Sequence, residues 1–115
     1  MKPDRHLQKA ESIQRSLQNL LPDGEGENVE AIVELCYGIV QHLIAYGMEH
    51  KYNKHLDSHV GLAKFLTTNG EEEISEKFIN LDILRQGRWY GGKGNGGIVK
   101  ECLKIVEEIK RWARE

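Results

Sequence analysis

Asn28 to Met48 reads NVEAIVELCYGIVQHLIAYGM, and this stretch decides the fold. Val29, Ile32, Val33, Cys36, Val40, Leu43, Ile44 and Gly47 recur at steps of three and four, which is one face of an α-helix. Leu35, Ile39 and Tyr46 widen the apolar surface around the cylinder. A helix apolar on several sides needs other helices around it, so this one is predicted as the central element of a bundle, with Asn28 as its N-cap. Gly38 and Gly47 each cost about 1 kcal/mol relative to Ala in a helix interior, so they signal either close helix approach or local bending. Polar residues from Glu49 to Lys54 break the pattern. The run Ile32 to Met48 contains Glu34, Gln41 and His42 and is too short and polar to span a bilayer comfortably, so no membrane is expected.

Working outward, Pro3 suits the first turn of a preceding helix, and Leu7, Ala10, Ile13, Leu17 and Leu20 give it one apolar face. Pro22 ends it, and Pro22-Asp23-Gly24-Glu25-Gly26-Glu27 reads as a loop. On the other side a short helix is predicted, capped by Asp57 or Ser58, with Val60, Ala63 and Leu66 or Phe65 inside. Thr67-Thr68-Asn69-Gly70 stops it, Gly70 being the left-handed residue. A further helix opens at Glu71-Glu72-Glu73, where negative charge suits the helix dipole. Its stripe Ile74, Phe78, Leu81 continues by four and three residues to Arg85 and Arg88. A second stripe, Ile79, Ile83 and Tyr90, lies roughly opposite, so this helix can serve the core and a partner surface together. Gly91 to Gly97 reads as a flexible turn, and the last helix runs from Ile98 to Arg114. With no strand alternation, the expectation is an all-α single domain over residues 1–115: an antiparallel up-and-down four-helix bundle with a short accessory helix.

Composition narrows function mainly by exclusion. Lys and Arg number 16 against 18 Asp and Glu, a net charge of −2, so any nucleic-acid contact is local rather than a general basic coat. Cys36 and Cys102 both sit in apolar helical stretches and read as reduced core residues. Met1 to His6 carries no secretory pattern, and the expected location is cytoplasmic.

The functional candidate is Leu84-Arg85-Gln86-Gly87-Arg88-Trp89-Tyr90-Gly91. Arginine offers a planar fork for phosphate, and Trp89 and Tyr90 offer stacking faces. Arg85, Arg88, Trp89, Tyr90 and Lys93 therefore form the candidate ligand-binding set for a nucleotide or RNA backbone. The structural alternative has Arg85 paired to a core carboxylate while Trp89 and Tyr90 close the bundle end. Gly92-Lys93-Gly94-Asn95-Gly96-Gly97 matches G-x-G-x-x-G in letters but follows a helix, which excludes the dinucleotide fold; its amides with Lys93 could hold an anion. His55 and His59 stand four apart and could share a helix face, but no H-E-x-x-H occurs; no metal and no cofactor are expected.

From Asn28 onward the chain resembles the HEPN domain family (higher eukaryotes and prokaryotes nucleotide-binding). The resemblance rests on Tyr37 and Gly47 in the second helix, on His59-Val60-Gly61-Leu62, and on a helix ending in Arg85 and closing on Tyr90-Gly91. That order is similar to HEPN proteins ending in Arg, four residues, then Tyr-Gly. The resemblance implies a helical bundle that often dimerises, and a partner such as a nucleotidyltransferase in a toxin–antitoxin pair. Many HEPN ribonucleases carry histidine where Tyr90 stands here. Three functional classes follow: a homodimeric module binding nucleotide or RNA through Arg85, Arg88, Trp89 and Tyr90; a metal-independent endoribonuclease with Arg85, Tyr90 and His59 as candidate catalytic residues; and a purely structural interaction protein.

Overall fold

A computed structural model describes residues 3–55, 61–91 and 96–115, with backbone alone at 3, 88–91 and 96. Five helices follow one another: α1 (Pro3–Gln18), α2 (Val29–Tyr52), α3 (Leu62–Thr68), α4 (Glu72–Gly91) and α5 (Gly96–Arg114). Among the described residues there is no strand. The fold is all-helical, as the periodicity predicts.

α2 is the hub. It packs against α1, α4 and α5, while α3 packs on α4. Its wide apolar surface explains this: Val29, Ile32, Val33, Cys36, Ile39, Val40, Leu43, Ile44, Gly47 and Met48 are all buried. At about 1.5 Å per residue its 24 residues run most of the molecule's 42 Å long axis. Every neighbour supplies the complementary stripe, including Leu17 from α1, Leu81 from α4 and Ile109 from α5.

Several boundaries differ from the sequence expectation. α2 does not stop at Glu49 but continues to Tyr52, because Met48 and Lys51 still pack inward while the polar residues take the outer side. It is long and apolar enough to cross a membrane by length and composition, with half of its most apolar stretch buried inside the chain. Asn28 makes no side-chain cap. The loop is instead organised by Asp23, whose carboxylate accepts from the backbone N–H of Glu27 and Asn28. α1 ends at Gln18, before Leu20 and Pro22. α3 starts after left-handed Gly61, and the expected caps Asp57 and Ser58 lie outside the described residues. Gly70 is left-handed at φ +84°, as expected of a helix stop. α4 persists through Gly91 and α5 begins at Gly96, shortening the predicted glycine turn; residues 92–95 are outside the described set.

Gly47 settles between close approach and bending in favour of close approach. A Cβ there would stand 2.5 Å from Cζ3 and 2.8 Å from Cη2 of Trp112. The α5 indole thus lies on the α2 backbone, with the Lys51 ammonium 5.5 Å from its centroid. Near the same end of the molecule, buried Ser75 in the first turn of α4 donates to the Ala63 carbonyl and accepts from Thr67, which seats α3.

Candidate functional site

Arg85 lies where the core stripe of α4 meets the surface. Ile74, Phe78 and Leu81 are buried, and Arg85, one turn further, keeps 29% of its side chain exposed. Its guanidinium carbon stands 4.2 Å from the centre of the Tyr37 ring on α2. The same ring packs against Phe78, 5.5 Å between centroids. Tyr37 thus touches both an apolar and a cationic residue two turns apart on α4, and the stacking fixes the plane of the guanidinium.

Asp82, one turn earlier on α4, holds the edge of that plane. Its Oδ1 accepts from Arg85 Nε at 3.1 Å and from Nη2 at 2.8 Å. Gln86 donates to the other oxygen at 3.0 Å. Nη1 is 3.8 Å from Glu34 Oε1, an ion pair too long to be a hydrogen bond. Glu34 is exposed on α2. The Asp82 hydrogen bond pushes the Arg85 pKa up, so its charge is permanent. Burial first, and Asp82 second, push the Tyr37 phenol up, so it stays neutral.

The sequence alternative of a carboxylate partner for Arg85 is therefore present, but the partner comes from the same helix at i−3 rather than from the core. Of the predicted ligand-binding set, Arg85 is placed; the side chains of Arg88, Trp89 and Tyr90, and all of Lys93, lie outside the described residues, as does His59. Sequence reading missed Tyr37 as the stacking platform and Asp82 and Glu34 as the charged neighbours. The Asp82–Arg85 spacing of three was a readable signal.

On the side of α4 turned away from Arg85, Ile79 and Ile83 are exposed, at 44% and 60%. They belong to the second stripe predicted for α4, and among the described residues no helix covers them; the side chain of Tyr90, the third member, lies outside the described residues. A separate open cavity of about 600 Å³ lies between the loop after α1, the first turn of α2 and the start of α5. Leu21, Pro22, Val29, Val99 and Leu103 make it mainly apolar, with Lys100 at its edge.

A second polar cluster occupies the opposite end of α2. His6 of α1 is buried, and its Nδ1 is 3.0 Å from Nδ1 of His42. Burial, then the charges of His6 and Lys9, hold His42 below the usual imidazole range. Glu49 and His55 approach from the end of α2, Oε2 to Nδ1 at 3.3 Å. His55 is not in a helix; it follows left-handed Asn53, the C-cap of α2, and His59 lies outside the described residues. Cys36 and Cys102 are buried free thiols. Burial pushes Cys36 up to about 12 and Cys102 up to about 11, which leaves both inert.

Comparison with protein families, curated proteins and solved structures gives no significant match for this chain.

Proposed function

We propose that the chain is a HEPN-like module: an antiparallel four-helix bundle of α1, α2, α4 and α5 with α3 as accessory helix, acting in the cytoplasm and binding nucleotide or RNA through Arg85. The observation that carries this reading is the guanidinium of Arg85 lying over Tyr37 and clamped by Asp82. A freely rotating surface arginine loses side-chain entropy on binding; a stacked and clamped one has already lost it. Nε and Nη2 are committed to Asp82, so Nη1 is the edge that meets phosphate. Glu34, exposed and 3.8 Å from Nη1, competes for that edge and swings aside on binding. Arg88, Trp89 and Tyr90 extend the site on the resemblance to HEPN proteins. The exposed Ile79 and Ile83 support a homodimer that buries the outer face of α4, the side turned away from Arg85. A nucleotidyltransferase of a toxin–antitoxin pair is the partner class that the family resemblance implies.

The test is fluorescence anisotropy with a labelled single-stranded oligoribonucleotide, with mononucleotides as competitors. Arg85→Ala is expected to weaken binding at least tenfold while its melting temperature stays within a few degrees. Tyr90→Phe is expected to weaken it less, since a hydroxyl alone is lost. Equal binding by wild type and Arg85→Ala contradicts the reading.

A second reading, a helical interaction module with no small ligand, is favoured by one observation: Asp82 already satisfies two Arg85 nitrogens from within α4. It expects no RNA or nucleotide binding, and a lower melting temperature for Arg85→Ala.

A further inference from the structure

We infer that His6, Glu49 and His55 form a binding site for a divalent metal of the zinc class, distinct from the Arg85 site. One ligand atom from each residue lies within 4.8 Å of the other two. Two imidazole nitrogens and one carboxylate oxygen are a donor set used by zinc with a fourth position open. Tetrahedral coordination at about 2.1 Å places ligand atoms roughly 3.4 Å apart, so the trio must close by about an ångström. Glu49 and His55 are already at 3.3 Å. His55 follows the helix end and is exposed, so it supplies the movement.

The fold prepares the three ligands by separate means. His6 is fixed by burial in the first turns of α1. Glu49 is on the last turn of α2, seven residues and two turns beyond His42, so both face α1. Asn53 then adopts a left-handed conformation at φ 55°, its N–H bonded to the Glu49 carbonyl, and this reversal carries His55 back over Glu49. Among non-glycine residues asparagine tolerates that conformation best.

His42 acts as a positioning residue. A neutral His6 donating its Nδ1 proton to His42 Nδ1, 3.0 Å away, carries its lone pair on Nε2, the nitrogen that coordinates the metal. Metal-bound histidines almost always hydrogen-bond through their second nitrogen, which fixes the ring and the tautomer. The 5.2 Å centroid separation and 37° tilt of the two rings fit a side-on hydrogen bond rather than a stack. Thiolate is absent from the described ligand set, and a set of two nitrogens and one oxygen favours zinc, nickel or cobalt over calcium or magnesium. The metal would tie the start of α1 to the end of α2 and the segment after it.

The experiment uses the full chain, stripped with EDTA and dialysed, titrated with zinc chloride by calorimetry and by competition with a chromophoric chelator. One zinc per chain is expected, with a melting temperature raised by several degrees. His55→Ala and Glu49→Gln each should lower affinity at least tenfold; His55 is exposed and Gln is nearly isosteric with the half-buried Glu49, so folding is retained, as circular dichroism checks. His6→Ala should abolish binding, and if it fails to fold the His55 and Glu49 variants alone decide. His42→Phe should fold and lower affinity about tenfold, as loss of an outer-sphere partner does. Absence of saturable binding at about 100 μM zinc, or affinity unchanged in both the His55 and Glu49 variants, overturns the site.

Discussion

Gly47→Ala isolates the contact that sets the α2–α5 packing. A methyl at residue 47 would stand 2.5, 2.8 and 3.2 Å from three carbons of the Trp112 ring. Ordinary carbon contacts are about 3.5–4.0 Å, so the ring has to move by about 1 Å. Trp112 is 8% exposed and rigid, and Lys51 lies over it, so the shift propagates into the core. Overpacking of this kind costs about 1–3 kcal/mol. Replacing a helical glycine by alanine returns about 1 kcal/mol. A 2.5 Å approach to a packed ring belongs in the upper part of the overpacking range, about 2–3 kcal/mol, so the net is a loss of about 1–2 kcal/mol, a fall of roughly 4–8 °C in melting temperature for a chain of this size. Gly38→Ala and Gly87→Ala are the internal controls. A Cβ at 38 meets Ile13 Cδ1 at 3.4 Å, an ordinary contact, and one at 87 meets nothing within 4 Å. Both keep the propensity gain and should melt at or slightly above wild type. The assay is thermal unfolding followed at 222 nm. A Gly47→Ala protein that melts at or above wild type would refute the close approach.

Three further outcomes are expected. Ile83→Asp places a charge in the exposed α4 stripe, so it should shift the protein from dimer to monomer in sedimentation at about ten micromolar with its helical signal unchanged; a wild type that is already monomeric there removes the dimer proposal. Glu34→Gln removes the carboxylate that competes for Nη1, so it should tighten oligoribonucleotide binding several-fold in anisotropy, whereas weaker binding would mean Glu34 supports the site. Cys36 and Cys102 have folded pKa values raised to about 12 and about 11, above an unfolded thiol near 8.5. Below pH ~8.5 both thiols are neutral in either state; above it the unfolded chain loses protons that the folded chain keeps, so stability falls through pH 9–11. Melting temperature measured across that range should decline less steeply in a Cys36→Ala/Cys102→Ala variant than in wild type.

The helices were legible because their signal is local. The stripe through Val29, Ile32, Cys36 and Val40 identifies a buried face without any knowledge of what covers it. The meaning of Gly47 was not legible, because its cause is Trp112, 65 residues later in the chain and placed only by the fold. The extra turn of α2 was missed because Glu49 to Tyr52 look like a loop by composition, yet Lys51 and Met48 still face inward. Arg85 was readable as the continuation of Ile74, Phe78 and Leu81, and the Asp82 partner at i−3 was readable in principle. Tyr37 was not, since it comes from another helix. The histidine cluster illustrates the same limit. His6 continues the α1 stripe of Ala10, Ile13 and Leu17 at steps of four and three, which marks it as inward-facing. Its neighbour His42 is 36 residues away, and no spacing rule connects them.

The central claim is that the Arg85 guanidinium receives a phosphate group. Its Nε–H resonance in a nitrogen-15 correlation spectrum, assigned by comparison with Arg85→Lys, reports on that group directly. During titration with a short single-stranded oligoribonucleotide the resonance is expected to move and to saturate with the same Kd as anisotropy. A resonance that stays in place while the protein binds RNA, or a protein that binds none, would contradict the account.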